Sequence, residues 1–431
     1  MEVTVLALIT AALFVWALVS ARLQQADLTA PMVFIVVGAA LNWSGLVDGS
    51  APPEAVTPLV EITLVWVLFS DAARLPLQQL RRDVGRYVRL LGVGLPLTIV
   101  FGWVLAAWFF PQFGPWLPLL VGAALAPTDA ALGVPVVTNP VVPSRIRQLI
   151  IVESGLNDGI ATPIVMVAIA GAAAAAGLEG AAGPGSAAVE LLIGAGVGAA
   201  AGALGGWLLR LARRRGIAAE DFVGIGVLAL SLLAYTSALA VGGNGFVAAF
   251  CGGLAFGTCA GHRAPAELVF VEQVGGLASL LVWMAFGAIA VPTMLSHFVP
   301  MTILYAVLSL TVVRMLPVAL ASIGAGLDRN TILFVGWFGP RGLASLVFAL
   351  LALETVGPVS DEAVGVITAT VLLSVLAHGF SAAPLAARYG RAAAAAGPEP
   401  GGPVPVTPAP ARGLSRIHVP ALRFWAKRPH S

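Results

Sequence analysis

Apolar stretches of roughly 18 or more residues recur along most of this chain, and each is long enough to cross a ~30 Å hydrocarbon core as a helix. Of the 431 residues, 59% are hydrophobic and only 10% are charged. Soluble globular domains carry about 25% charged residues. The sequence therefore predicts an all-α polytopic membrane protein whose first partner is the lipid bilayer, and we expect no nucleic-acid partner.

The apolar runs predict thirteen membrane helices. The first run, Val3 to Ser20, has neither a basic leading segment nor a convincing cleavage site, so we interpret it as a membrane helix and not as a signal peptide. The predicted spans are 3–20, 29–47, 57–73, 87–110, 117–136, 148–173, 187–209, 222–240, 244–260, 268–291, 299–323, 330–353 and 362–387.

The charged residues of the predicted loops support this count. Arginines occur after the odd-numbered spans, and the chain end after span thirteen is also basic; the loop arginines include Arg22, Arg74, Arg81, Arg82, Arg86, Arg89, Arg145, Arg147, Arg210, Arg213, Arg263 and Arg329. The other loops contain no Lys or Arg and carry acids such as Asp48, Glu54 and Glu179. Because positive loops stay in the cytoplasm, we expect a multi-pass cell-membrane protein with an external N-terminus and a cytoplasmic C-terminus.

An odd number of spans predicts two inverted six-helix repeats joined by a linker helix. The fifth helix of each repeat contains an internal proline motif: Ala126-Pro127-Thr128-Asp129 in span five and Gly339-Pro340-Arg341-Gly342 in span twelve. Proline removes a backbone donor and clashes with the preceding turn, so it breaks a helix. Two broken helices at matching positions indicate a transporter whose binding site lies where they cross.

Span six contains two acids in an otherwise apolar run, within Glu153-Ser154-Gly155-Leu156-Asn157-Asp158. A carboxylate inside the bilayer is costly and by default marks a functional site. Ser154 and Asp158 are four residues apart and share one helix face, as do Glu153 and Asn157 on the adjoining face. We predict a site here at which a carboxylate exchanges a proton for a cation.

A hard cation prefers oxygen ligands. Asp158, Ser154, Thr128, Asp129 and the carbonyls freed near Pro127 can supply them. Asp129 has a second possible role, which is to neutralise the N-terminal ends of the half-helices at the crossing, since those ends carry partial positive charge.

Arg341 lies in the second break and needs a partner in the low-dielectric interior. We predict an ion pair with Glu153, or alternatively that Arg341 neutralises the C-terminal half-helix ends. The remaining polar residues of the spans have more than one interpretation. Asp71 is either solvated or a ligand at the rim of a cytoplasmic funnel, and Glu61 has no evident partner. Arg314 is expected to snorkel or to pair with another helix, and His378 to be a hydrogen-bonded packing residue.

Three motifs in spans five, six and twelve resemble those of the NhaP-type and eukaryotic sodium/proton exchangers, in the monovalent cation/proton antiporter superfamily. They are APTDAALGVPV, ESGLNDG and WFGPRGLASLV, and the segments GGNGFVAAFCGGLAFG and LAHGFSAAPLA are also similar. The similarity runs from about Leu8 to Tyr389. It implies a thirteen-helix fold with a core domain and a dimerisation domain, hence a homodimer. It also implies exchange of Na⁺, or alternatively K⁺ or Li⁺, for H⁺ without any cofactor.

The resemblance also implies residue roles. Asp158 would bind cation or proton in turn, and Asn157 would mark the branch of the superfamily that is typically electroneutral. The other implied roles belong to Ser154, Thr128 and Asp129 as lining residues, to Glu153 and Arg341 as an ion pair, and to Asp71 as an acid at the inner end of helix three. Ala130 follows Asp129 where many relatives have proline.

Two other classes of function compete with exchange. An uncoupled channel would not need two broken helices, which favour alternating access. A membrane enzyme is disfavoured because the spans contain no HExxH, GxSxG or histidine cluster, and the spacing of Cys251 and Cys259 fits neither a metal site nor a disulfide framework. We expect an exchanger domain over 1–391 and a disordered, basic cytoplasmic tail over 392–431.

Overall fold

The computed structural model describes residues 3–46, 56–75, 84–178, 184–261 and 264–395. The predictions made for Asp48, Glu54, Arg81, Arg82, Glu179 and Arg263, and for the tail from residue 396 onward, lie outside these ranges. Within them the regular structure is helical, and the thirteen predicted helices are present. The relation between the two halves as inverted repeats stays a prediction.

The helices are numbered here in chain order, and the two broken ones are divided into halves a and b. They are α1 Val3–Gln25, α2 Ala30–Trp43, α3 Thr57–Ala73, α4 Val84–Phe109, α5a Trp116–Ala124, α5b 130–137, α6 Ser144–Ala175, α7 Pro184–Arg214, α8 Glu220–Ala240, α9 Gly245–Cys259, α10 Ala264–Ser296, α11 Pro300–Ala321, α12a Arg329–Trp337, α12b Leu343–Val356 and α13 Asp361–Ala395.

Eight helical stretches of the described chain are, by length and composition, able to cross a membrane. Helices α2 and α9 are apolar but shorter. Helices α5 and α12 are each interrupted near the middle, as the proline motifs predict. The bounds differ from the predicted spans mostly at helix ends, where the polar flanks of α6 and α10 continue the helix beyond the apolar run.

Burial separates the helices into central and peripheral ones. In the stretch containing α12b and α13, 72% of the residues of its most apolar segment are buried inside the protein. The corresponding share in α1 is 6%. Helix α12b has no polar stripe, and its first eleven residues are all buried. A helix that is apolar all round belongs inside a bundle. The bundle therefore surrounds the second broken helix and leaves the faces of α1 exposed.

Helices α4 and α11 each contain one π-helical segment, Leu90–Gly94 and Ser309–Val313. The two helices are joined by the hydroxyl of Tyr305, which donates to the carbonyl of Gly102 at 3.2 Å. Single π-helical turns inside α-helices are frequent at functional sites. Here the residue that follows the segment in α11 is Arg314.

Candidate functional site

The broken segments of α5 and α12 cross and hydrogen-bond to each other. The amide of Asp129 donates to the carbonyl of Pro340 at 2.8 Å. The Asp129 carboxylate accepts from the amide of Leu343, the first residue of α12b, at 3.2 Å. A carboxylate at a helix N-terminus satisfies an orphan amide and opposes the partial positive charge there. The structure thus places Asp129 at the N-terminal half-helix end where the sequence suggested it.

Arg341 serves the opposite end of the crossing. Its guanidinium donates to the carbonyls of Ala126 at 3.0 Å and Pro127 at 3.3 Å, just beyond α5a. Ser345 adds a hydrogen bond to the carbonyl of Ala124 at 2.6 Å. A cation at a helix C-terminus is favourable. Arg341 is fully buried, and these carbonyls replace water at its Nη1 atom.

The predicted ion pair between Glu153 and Arg341 is wrong. Glu153 on α6 instead pairs with Arg314 on α11, with the Nη1 and Oε1 atoms 2.6 Å apart and both side chains at most 5% exposed. Arg314 directly follows the π-helical segment of α11. The expectation that Arg314 pairs with another helix is confirmed.

Helix α6 carries Ser154 and Asp158 on one face, as predicted, and this face meets the α5 break. The hydroxyls of Thr128 and Ser154 lie 3.0 Å apart. The amide of Asn157 donates to the Thr128 hydroxyl at 2.7 Å. Because Asn157 occupies one acceptor position of Thr128, it holds the threonine side chain against Ser154. Asn157 therefore positions a lining residue.

A cavity of about 520 Å³ reaches from this crossing to the connection between α1 and α2. Its polar lining includes Asp71, Thr128, Asp129, Ser154, Asp158 and Glu272. Asp158 is 8% exposed, and its Oδ1 atom has no protein hydrogen-bond donor. The cavity ends on a carboxylate oxygen beside two hydroxyls, which is a donor set suited to a hard cation or a proton.

Asp71 is half-buried and lines this cavity near the end of α3. Glu272 on α10, which the sequence analysis did not single out, also lines it and pairs with Arg74. Its position at the predicted start of span ten was the available signal. Glu61 lies further along α3, outside the cavity lining, and hydrogen-bonds to Tyr235 on α8.

The described surroundings of His378 confirm it as a hydrogen-bonded packing residue. It is 1% exposed, and both ring nitrogens have partners. The ring stacks on Trp337, with centroids 5.1 Å apart.

A helical membrane bundle with two crossed broken helices and a buried carboxylate at the end of a cavity defines the class of ion-coupled membrane transporters. The comparisons specify the family. The model of the sodium/hydrogen exchanger transmembrane family matches residues 8–388, so the chain belongs to this family.

Curated relatives and solved structures are similar over most of the chain. The K(+)/H(+) antiporter NhaP of Alkalimonas amylolytica is 26% identical over 363 residues, which are 82% of this chain and 61% of the relative. A probable Na(+)/H(+) antiporter of Schizosaccharomyces pombe is 24% identical over 68% of this chain and 41% of its own length. The chain thus spans about three fifths or less of these relatives. The sodium proton antiporter MjNhaP1 from Methanocaldococcus jannaschii superposes with a TM-score of 0.72 at 20% identity, covering 88% of this chain and 100% of that one, and so has the same fold.

Proposed function

We propose that this chain is a secondary antiporter that exchanges a monovalent cation for a proton, with Asp158 binding the two in turn. The observation that carries the proposal is the Asp158 carboxylate, buried at the end of a cavity with one oxygen lacking a protein donor. A buried unpaired carboxylate is unstable unless it takes up a proton or a cation. Ser154 and Thr128 supply the additional oxygens that a bound cation needs.

Alternating access is supported by a contact at the other end of α3. The hydroxyl of Thr57, at the start of α3, donates to Glu354 of α12b at 2.8 Å. Asp71, near the other end of the same helix, lines the cavity. Helices α3 and α12b are therefore hydrogen-bonded to each other at one end of α3, while the other end of α3 borders the cavity. An uncoupled channel would need a continuous path.

The proposed cation is Na⁺, and K⁺ is the second candidate because K(+)/H(+) antiporters are among the relatives. The test is dequenching of a pH dye in everted vesicles after addition of Na⁺, K⁺ or Li⁺. We expect Asp158→Asn to abolish the response while Asp221→Asn, an exposed acid of α8, retains it. Cation-dependent proton movement in Asp158→Asn would remove the proposal, and proton flux without cation dependence in the wild type would indicate a channel.

Exchange is proposed to be electroneutral, with Asp158 as the carboxylate that exchanges its bound ion during the cycle. Glu153 is held by Arg314, and Asp129 is held at the α12b amide. A proton carried one way and a monovalent cation the other way leave the net charge unchanged. One net charge per cycle would respond to voltage by ~2.3 kcal/mol per 100 mV. In proteoliposomes with Na⁺ as the cation, we expect the same rate with and without a clamped potassium-diffusion potential, and a voltage-dependent rate would indicate a second transported charge.

The proposed membrane orientation places the N-terminus outside and the C-terminus in the cytoplasm, since the sequence carries its loop arginines after the odd-numbered spans. The exposed apolar faces of α1 support a homodimer in the membrane. A C-terminal fluorescent fusion that folds only in the cytoplasm tests the orientation, and chemical cross-linking in membranes tests the dimer.

A further inference from the structure

Three polar residues on one face of α13 contact the broken segment of α12. They are Ser374, His378 and Ser381, spaced four and three residues apart, which places them on a single face. The Ser381 hydroxyl accepts from the indole nitrogen of Trp337 at 3.0 Å. His378 and Ser381 belong to the LAHGFSAAPLA segment, to which the proposed cation site assigns no role.

His378 closes the C-terminal end of α12a. The last carbonyls of a helix have no intrahelical donor and carry partial negative charge. The Nε2 atom of His378 lies 2.8 Å from the carbonyl of Trp337, the last residue of α12a. Nε2 faces this acceptor and must therefore carry a hydrogen, whichever partner Nδ1 uses. His378 thus does for α12a what Arg341 does for α5a.

Ser374 holds the other side of the break. The backbone amide of Arg341 donates to the Ser374 hydroxyl at 2.7 Å. The same hydroxyl lies 3.1 Å from Nδ1 of His378, and Nδ1 also lies 2.9 Å from the Ser374 carbonyl. The non-helical segment 338–342 is thus tied to α13 at its first end through Trp337 and near its last end through Arg341.

We propose that His378 is a positioning residue for cation binding, acting with Ser374 to fix the length and direction of the α12 break. The segment they hold delivers Arg341 to the α5a carbonyls and the Leu343 amide to Asp129. Asp129 lines the cavity. Loss of the His378 contact lets the end of α12a move, and the movement reaches the cation site through these hydrogen bonds. The inference rests on the proposed exchange function.

The test compares His378→Leu, His378→Gln and Ser374→Ala in proteoliposomes, with rates normalised to folded protein. Leucine keeps the bulk but removes the donor, whereas the glutamine amide can still reach the Trp337 carbonyl. We expect His378→Leu to raise the KM for the cation about tenfold, the size expected when a buried hydrogen bond is lost and its acceptor is left unsatisfied. We expect His378→Gln to stay near the wild-type KM, and Ser374→Ala to fall between the two.

Thr370→Val is the matched control, because Thr370 is fully buried on the same helix and its hydroxyl donates within that helix, to the carbonyl of Val366. It should leave the KM unchanged. Stabilisation of the purified protein against heating by added Na⁺ gives a second readout that does not require transport, and it should weaken in His378→Leu. If that variant does not fold, Ser374→Ala and His378→Gln still decide the matter.

Two results would overturn the positioning role. One is a KM for the cation in His378→Leu that equals the wild-type value. If His378→Leu does not fold, an unchanged KM in Ser374→Ala counts instead. The other is a His378→Gln variant whose KM rises as much as that of His378→Leu. If His378→Leu does not fold, any clear rise in the KM of His378→Gln has the same meaning. Both require an active wild type. An inactive wild type would remove the proposed function instead, so the two failures are distinguishable.

Discussion

The two broken helices use the same backbone feature for different chemistry. The break in α5 places Thr128 and Asp129 on the cavity wall. Among the described residues that line this cavity, none comes from the break of α12 at 338–342. That break instead supplies a guanidinium to the α5a carbonyls and two glycines that pack closely against neighbouring side chains.

The difference shows that the buried positive charges and the cavity-lining carboxylates occupy different parts of the crossing. Arg314 pairs with Glu153 and Arg341 donates to backbone carbonyls, and neither arginine is among the described residues that line the cavity. The carboxylates of Asp158 and Asp129 remain on the cavity side. Fixed charge in a low-dielectric interior acts strongly because water does not screen it. The α12 break therefore holds the geometry while α5 and α6 provide the ligands.

The largest expected effect tests the structural side, at the Glu153–Arg314 pair. Removing one partner of a buried pair leaves an uncompensated charge and costs ~3–5 kcal/mol. We expect Glu153→Ala and Arg314→Ala each to unfold at lower temperature in detergent, and the double variant to lose less than the sum.

Arg341 provides the comparison for this cycle. Because its guanidinium bonds to Ala126 and Pro127, Arg341→Ala combined with Glu153→Ala should show much weaker coupling. Stronger coupling of Glu153 to Arg341 than to Arg314 would restore the pair that the sequence suggested and contradict the assignment of Arg314.

The sequence was sufficient for the features that depend on local rules. Hydropathy and loop charge predicted thirteen spans because each span must separately satisfy the bilayer. Proline rules predicted both breaks, since the missing amide acts within one turn. Helical periodicity predicted that Ser154 and Asp158 share a face, and both line the cavity.

The sequence was insufficient where two helices must choose a partner. The sequence paired Glu153 with Arg341, whereas the actual partner, Arg314, depends on how α11 packs against α6. Arg314 follows a π-helical segment, and no residue in Ser309–Val313 signals that segment. Glu272 was missed for a related reason, because its place on the cavity wall depends on the packing of α10 against α3.

The next effect concerns Gly339 and Gly342, which flank Pro340 and Arg341. A Cβ atom on Gly342 would overlap the Asp129 carboxylate, and one on Gly339 would overlap the Arg314 guanidinium. Overpacking typically costs ~1–3 kcal/mol. We expect Gly342→Ala to lose stability by about this amount and to weaken cation binding through Asp129. Gly339→Ala should lose stability without the same effect on binding.

Gly226→Ala in α8 is the matched control, since a Cβ atom added at this glycine would meet nothing within 4 Å. An interior helical glycine is less favourable than alanine by roughly 0.5–1 kcal/mol, so this control should be neutral or more stable. Thermal unfolding and cation titration of the three variants provide the measurement. A Gly342→Ala variant that binds cation normally would mean that Asp129 does not contribute to the site.

The smallest expected effect compares one hydroxyl from each side of the crossing. Thr128 faces Ser154 in the cavity, whereas Ser345 donates to the carbonyl of Ala124 away from it. Each takes part in buried hydrogen bonds worth about 0.5–1.5 kcal/mol. We expect Thr128→Val to raise the cation KM by about two- to tenfold, the same free energy expressed as affinity. Thr128→Ser keeps the hydroxyl and should therefore keep the wild-type KM. Ser345→Ala should lose similar stability with no change in KM. An equal rise in KM for Ser345→Ala would show that the α12 side also shapes the binding site, and the division of labour between the two breaks would not hold.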